Sequence, residues 1–262
     1  MRAFACDLDR TLIGQDALLR PRTITAIAAA RARGIHVIVV TGRMFRSVRP
    51  YVEAAGLDEP VICYQGAVVA EPSSGRFLLH IPIPLELAKE TIAAVEEAGF
   101  GLNCYVGDNL YVAEVTEWAR AYADFQHLPL EAVGDLGSWL SEPPTKLVAV
   151  GDPDAIDVLQ AQMRERFGGR MYISKSLPYF LEFASPEVSK GSGLAFLAER
   201  LGFTAEQTVA IGDGENDREL LDWAGYAVCV EQSHESLFER ADLVIPGPED
   251  DGVAQMIERY LS

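Results

Sequence analysis

Short apolar runs recur along the chain, most of them closed by a polar residue and separated by helical patterns. RAFACD (2–7), IHVIVV (35–40), VICY (61–64), TVAIGD (208–213), YAVCV (226–230) and DLVI (242–245) have the length of buried strands. Near-continuous apolar runs, rather than alternating ones, predict strands covered on both faces. With helices between them, they predict βαβ units around a parallel sheet. ITAIAAARARG between the first two runs reads as an amphipathic helix closed by Gly34 at its C-cap. Pro50 in FRSVRPYVEAAG is expected to start a fresh helical turn, because proline lacks the N–H that a helix interior uses. AVVAEPSSGRFLLHI reads as a hairpin over a Pro-Ser-Ser-Gly turn.

From about Pro84 to Phe183 the pattern changes. LELAKETIAAVEEAG predicts a helix, and LNCYVGDNLYVA a hairpin around Gly-Asp-Asn. Strand KLVAV, helix AIDVLQAQMRERFG and strands RMYIS and YFLEF follow. Hairpins beside paired helices indicate an α+β module with an antiparallel sheet, inserted into the first domain, whose remaining strands resume after it. The expected division is residues 1–83, 84–183 and 184–262. Tyr105, Asn109, Tyr111 and Tyr179 in the insert are candidates either for substrate contact or for hairpin core.

Composition narrows the class of protein. A chain of 262 residues with 49% hydrophobic and 23% charged residues is ordinary for a globular protein of one large or two modest domains. The first strand begins at Arg2 and no apolar stretch reaches the roughly 18 residues that span a bilayer, so a cytoplasmic location is expected. A net charge of −17 disfavours nucleic acid and anionic membrane surfaces as partners. It also requires a metal ion, basic side chains or helix N-termini to reverse the field wherever an anionic substrate binds. Cys6, Cys63, Cys104 and Cys229 lie in apolar runs without CxxC spacing and are expected to be reduced core thiols. The four histidines show no ligand spacing.

Polar residues end or follow the apolar runs of the parallel-sheet domain at four places. Asp7 and Asp9 follow the first strand, Thr41 the second, and Asp213 with Asp217 the strand TVAIGD, while Lys190 opens a helix in EVSKGSGL. Ligands of open α/β sheets gather beyond the carboxyl ends of the strands, so these groups are expected to converge. Each alone has an ordinary reading: an aspartate caps a helix, a threonine ends a strand, a lysine is a solvated charge. Two carboxylates as close as Asp7 and Asp9 raise each other's proton affinity and call for a nearby cation.

DLDRTL, VVTGR, SKGSGL and GDGENDRELL resemble the four motifs of the haloacid dehalogenase (HAD) superfamily of phosphohydrolases. The long insertion between the second and third motifs is similar to that of the Cof-type branch, and the likeness continues through SHESLFERADLVIPGPEDDGVAQMI. The resemblance implies an α/β fold, a Rossmann-like parallel-sheet core with an inserted α+β cap domain. It implies a phosphatase acting on a small phosphorylated metabolite, a sugar phosphate by preference. By the same resemblance Asp7 is the nucleophile that forms an aspartyl-phosphate, and Asp9 the general acid and base. Mg²⁺ would be held by the Asp7 carboxylate, the Asp9 backbone carbonyl and Asp213, with Asp217 completing or orienting the shell. Thr41 and the amides after it, beginning with Gly42, would hold phosphate oxygens. Lys190 would supply a point charge, and Asn216 lies beside the substrate. Arg43 either braces the site or simply starts a helix. The resemblance leaves the oligomeric state open.

Three places depart from the family pattern: Arg10 where glycine commonly stands, Gln65 for a usual asparagine, and Glu231-Gln232-Ser233 for a common Gly-Asn-Ala. No mechanistic group is lost. A phosphomutase of the same fold and a phosphometabolite-binding protein without turnover remain alternatives to hydrolysis. A nucleotide-dependent kinase is disfavoured by the lack of a GxxxxGK[ST] loop.

Overall fold

A computed structural model describes all residues, 1–262. The chain divides into two compact units, one of Met1–Leu79 with Ser189–Ser262 and one of His80–Val188.

The first unit opens with β1 (Ala3–Asp7), α1 (Pro21–Ala32), β2 (His36–Val40), α2 (Phe45–Ala54), β3 (Val61–Cys63), β4 (Val68–Ala70) and β5 (Phe77–His80). Every residue of β1 is buried, as expected of a strand covered on both faces. Gly34 lies one residue past the C-cap Arg33, at φ 73°, a left-handed conformation that glycine adopts without strain. Pro50 corrects the sequence reading: it sits inside α2. Phe45, Val48 and Val52 bury one side of that helix, and Pro50 is exposed on the other, where water can replace the bond it cannot make. Burial of the apolar face thus outweighs an interior proline, a penalty of about 3 kcal/mol.

The second unit contains α3 (Leu85–Glu97), β6 (Leu102–Val106), β7 (Asn109–Val112), α4 (Glu117–Gln126), β8 (Leu130–Ala132), α5 (Leu136–Trp139), β9 (Lys146–Val150), α6 (Pro153–Phe167), β10 (Tyr172–Leu177) and β11 (Phe180–Ala184). Its sheet has the order β10-β11-β9-β6-β7-β8. All described pairs are antiparallel except β7 with β8, which α4 connects as a crossover. That crossover is absent from the sequence reading, although Thr116 caps α4 and Trp118, Tyr122 and Phe125 recur at helical spacing. Leu102, Cys104, Leu147, Ala149, Leu181 and Phe183 on one sheet face join Ile92, Val95 and Leu159 in a core cluster.

The unit begins four residues before the expected boundary and ends five after it. His80 and Thr145 share a side-chain hydrogen bond of 2.9 Å, and the Ile83 amide donates to the Pro144 carbonyl, which ties 80–83 to this unit. Three residues with an open reading have structural partners here. Tyr105 donates its hydroxyl to that of Tyr122, Tyr111 stacks on Trp139, and Asn109 bonds the Gly107 carbonyl in the hairpin turn.

The chain then returns to the first unit with α7 (Lys190–Leu201), β12 (Thr208–Gly212), α8 (Arg218–Trp223), β13 (Tyr226–Val230), α9 (Glu235–Phe238), β14 (Leu243–Ile245) and α10 (Gly252–Leu261). The completed sheet runs β14-β13-β12-β1-β2-β3-β4-β5. From β14 to β3 all neighbours are parallel, and β4 runs antiparallel to β3. Chain order reverses at β1: β2 and β3 lie to one side, β12 and β13 to the other. The carboxyl end of β1 is therefore the topological switch point, where open α/β sheets bind ligands. All four cysteines are buried and unbridged. No helix is long and apolar enough to cross a membrane.

Candidate active site

Asp7 is the last residue of β1, and it meets two groups from distant parts of the chain. Lys190 Nζ donates to Asp7 Oδ1 at 2.5 Å and to Asp217 Oδ1 at 2.6 Å. Lys190 is fully buried in the first turn of α7, which Ser189 and Ser192 close with a reciprocal capping box. Close packing explains the glycines around it. A Cβ on Gly191 would stand 2.2 Å from the Glu219 carbonyl oxygen, so only glycine lets α7 approach α8 closely enough to deliver the lysine. In the same way a Cβ on Gly212 would strike the Asp217 side chain at 2.6 Å.

Asp217 is the most heavily bonded of the carboxylates. Besides Lys190 on Oδ1, its Oδ2 accepts the amides of Asp213 at 3.0 Å and Gly214 at 2.9 Å. It thereby fixes the loop that presents Asp213. The Asp213 carboxylate accepts no hydrogen bond from the protein, and its charged partner is Arg10, with Nη1 at 3.4 Å from Oδ2. Asp7 Oδ2 is likewise without a hydrogen bond. Oxygens of Asp7, Asp213 and Asp217 lie within 4.8 Å of one another.

Three buried carboxylates around one lysine leave excess negative charge. Burial pushes the Asp7 carboxyl well above its usual range. Lys190 pulls it back only in part, because Asp217, Asp213 and Asp9 all push it further up. Asp213 is pushed up to about 7, by burial first and then by Asp217, with Arg10 and Lys190 opposing. Lys190 is raised despite its burial, because Asp217 and Asp7 hold its charge in place.

The donor set fits a hard divalent cation. It offers carboxylate oxygens only, no histidine or thiolate, and two of its carboxylates have oxygens that no protein group bonds. The excess charge also has a measurable consequence. Asp213 is raised in the folded protein above an unfolded value of about 4. The folded state therefore keeps a proton through a range where the unfolded chain has released it. Its contribution to stability is complete below about pH 4 and is lost as pH rises through about 7. Metal-free wild type should accordingly lose Tm relative to Asp213→Asn between about pH 5 and pH 8. Calorimetry across that range checks this, and a constant difference between the two proteins would contradict it.

Asp9 lies two residues beyond the end of β1. Its carboxylate lies outside the triad, gripped by Arg43 through Nε to Oδ2 at 2.8 Å and Nη2 to Oδ1 at 2.6 Å. Arg43 is 3% exposed, so this bidentate pair is part of the site rather than a surface contact. Arg43 thus braces the site, which the sequence reading left open. Thr41 is fully buried, and its Oγ1 accepts the Arg43 amide at 3.1 Å, which leaves the hydroxyl proton to donate elsewhere. Because the Arg43 amide is taken in this way, it is not one of the expected phosphate-binding amides. Gly42 follows Thr41 in the same loop. Asn216 also has a partner, donating to Gln65 Oε1 at 3.1 Å. Gln65 belongs to the 3-10 turn Tyr64–Gly66, where Tyr64 (φ 52°) and Gln65 (φ 59°) are both left-handed and non-glycine. Such backbone strain gathers at functional sites.

Comparisons with known proteins place the chain in a family. The sequence profile of the haloacid dehalogenase-like hydrolases matches residues 4–257. The pyridoxal phosphate phosphatase of Escherichia coli is 28% identical over 273 residues, 99% of this chain and 98% of that one. The 5-amino-6-(5-phospho-D-ribitylamino)uracil phosphatase of Bacillus subtilis is 26% identical over 274 residues, covering 98% and 97% of the two chains. A crystal structure from Thermotoga maritima superposes with a TM-score of 0.83 at 31% identity, over 98% of this chain and 97% of that one. Fold, site and relatives together define an enzyme of the phosphatase class. The chain belongs to the haloacid dehalogenase-like hydrolase family.

Proposed function

We propose that the protein hydrolyses the phosphate monoester of a small metabolite, by preference a sugar phosphate, through a phosphoryl group carried transiently on Asp7. The observation that carries this reading is the Asp7 carboxylate itself. One oxygen is held by buried Lys190 and the other is bonded to nothing in the protein, at the switch point of the sheet. The named substrates of the two relatives are small phosphorylated molecules, one with a phosphorylated ribityl chain.

In the first step the unbonded Asp7 oxygen attacks phosphorus, and the bond from phosphorus to the leaving oxygen breaks. Asp9 gives that oxygen its proton. In the second step water attacks phosphorus and gives its proton to Asp9, the bond from phosphorus to the Asp7 oxygen breaks, and inorganic phosphate leaves with the Asp7 carboxylate restored. Asp9 has to leave the Arg43 guanidinium to do this, since both its oxygens are bound there. Lys190 holds the attacking carboxylate in place and offsets charge on the transferring oxygens, the main demand of phosphoryl transfer. The Thr41 hydroxyl has a proton to donate to a phosphate oxygen.

A divalent cation, Mg²⁺ by preference, would be held by Asp7 and Asp213. The Asp9 backbone carbonyl would complete the set, and Asp217 would orient the Asp213 loop. When bound it supplies further neutralisation of phosphate charge. The test is phosphate release from p-nitrophenyl phosphate and from a panel of phosphorylated metabolites. EDTA should abolish turnover and added Mg²⁺ restore it. Full activity in metal-free protein would overturn the metal assignment. Failure to release phosphate from any substrate with Mg²⁺ present would overturn hydrolysis.

A further inference from the structure

Two of the departures from the family pattern meet in space although 222 positions separate them: Arg10 Nη2 donates to the Gln232 carbonyl at 3.1 Å. The same guanidinium turns Nη1 toward Asp213 Oδ2, at 3.4 Å. The Asp213 carboxylate has no other charged partner within ion-pair distance and takes no hydrogen bond, in contrast to that of Asp217, which has three donors. The Arg10 backbone is left-handed at φ 61°, a conformation that glycine adopts without strain and a side chain does not. What the strained position presents is a positive charge on the one triad carboxylate that Lys190 does not bond.

We propose that Arg10 is a resident counter-cation for Asp213, which a divalent metal ion has to displace, so that Arg10 sets the metal affinity of the site. The surroundings supply a place for the displaced side chain. A cavity of about 200 Å³ adjoins it, lined by Glu231, Glu249 and Asp250 among others. With its side chain 37% exposed, Arg10 can exchange Asp213 for these rim carboxylates and stay close to the Gln232 carbonyl. The proposal rests on the reading that the metal uses Asp213.

The experiment is calorimetric titration of the metal-free full chain with Mg²⁺ alone, at low salt and at about 1 M salt, where screening acts within about 3 Å. Arg10→Gly should bind Mg²⁺ about three- to tenfold more tightly than wild type at low salt, the scale of a partly exposed ion pair. The difference should shrink at high salt. Arg10→Gln, which keeps a donor for the Gln232 carbonyl but no charge, should tighten binding too, and it decides the matter if Arg10→Gly does not fold. Equal or weaker binding in the folded variants would overturn the proposal. Asp213→Asn separates the two readings. If it loses Mg²⁺ binding while the Arg10 variants match wild type, only the counter-cation fails. If it binds Mg²⁺ as well as wild type, the metal site is elsewhere and both readings fall.

Discussion

Asp7→Asn is expected to remove turnover, by about 10⁴-fold or more, the scale on which enzymes respond to loss of a nucleophile. No other group can take its place. Asp213 and Asp217 are close, but Asp217 already accepts from Lys190 and two amides, and Asp213 lies at the end of another strand. Asp9→Asn should act differently, since it leaves the nucleophile and removes the proton carrier. A loss of about 10²–10⁴-fold is expected from general acid–base catalysis. With p-nitrophenyl phosphate the leaving group needs little help, while attack by water still needs a base. Phosphoenzyme should therefore accumulate in the Asp9 variant, as a phosphate mass adduct on the peptide containing Asp7. An adduct on another residue, or wild-type turnover in Asp7→Asn, would show the roles to be misassigned.

The second large effect should come from Lys190→Met. Lys190 is the fully buried cation between Asp7 and Asp217, and removing it leaves two buried carboxylates without their shared cation. Breaking a buried pair by deleting one partner costs about 3–5 kcal/mol. In a chain of this length that corresponds to roughly 6–20 °C in Tm. Asp7, already pushed up by burial and now without its cation, can take up a proton instead, so the loss should be smallest in acid and largest near pH 8. Mg²⁺ should raise the Tm of the variant more than that of wild type, because a dication replaces the missing charge. Equal melting of the two metal-free proteins near pH 8 would show that Lys190 does not hold the cluster together. Activity should fall with stability, since the phosphate loses a point charge.

The parts of the fold that could be read from the chain are those in which one local signal determines the element. β1, β2, β12 and β13 are apolar runs that only a sheet covered on both sides can bury, and they fall within one residue of their expected limits. α2 and α4 were harder to read. In α2 a proline with a strong local signal is overridden by burial of Phe45, Val48 and Val52, a tertiary effect. In α4 the aromatic spacing was present, but its role as the crossover between parallel β7 and β8 depends on which strands pair.

The linear pattern already singles out the polar groups that the fold collects around the end of β1. Asp7, Asp9, Thr41, Lys190, Asp213 and Asp217 stand at strand ends or helix starts because polar groups cannot continue a buried run, and a parallel sheet gathers those ends at one edge. Tertiary structure alone decided the pairing. Asp7 and Asp9 are two residues apart, yet one faces Lys190 and the other Arg43. Asp217, expected to complete or orient a metal shell, uses both oxygens to hold its own loop and the lysine. Arg10, a departure with no assigned role in the linear chain, finds Asp213 and the Gln232 carbonyl more than 200 positions away. The physical reason is that burial is a property of a segment and is written in its local pattern. The partner of a buried charge depends on which strand ends and helix starts the folded sheet brings within about 3 Å, and no single segment encodes that.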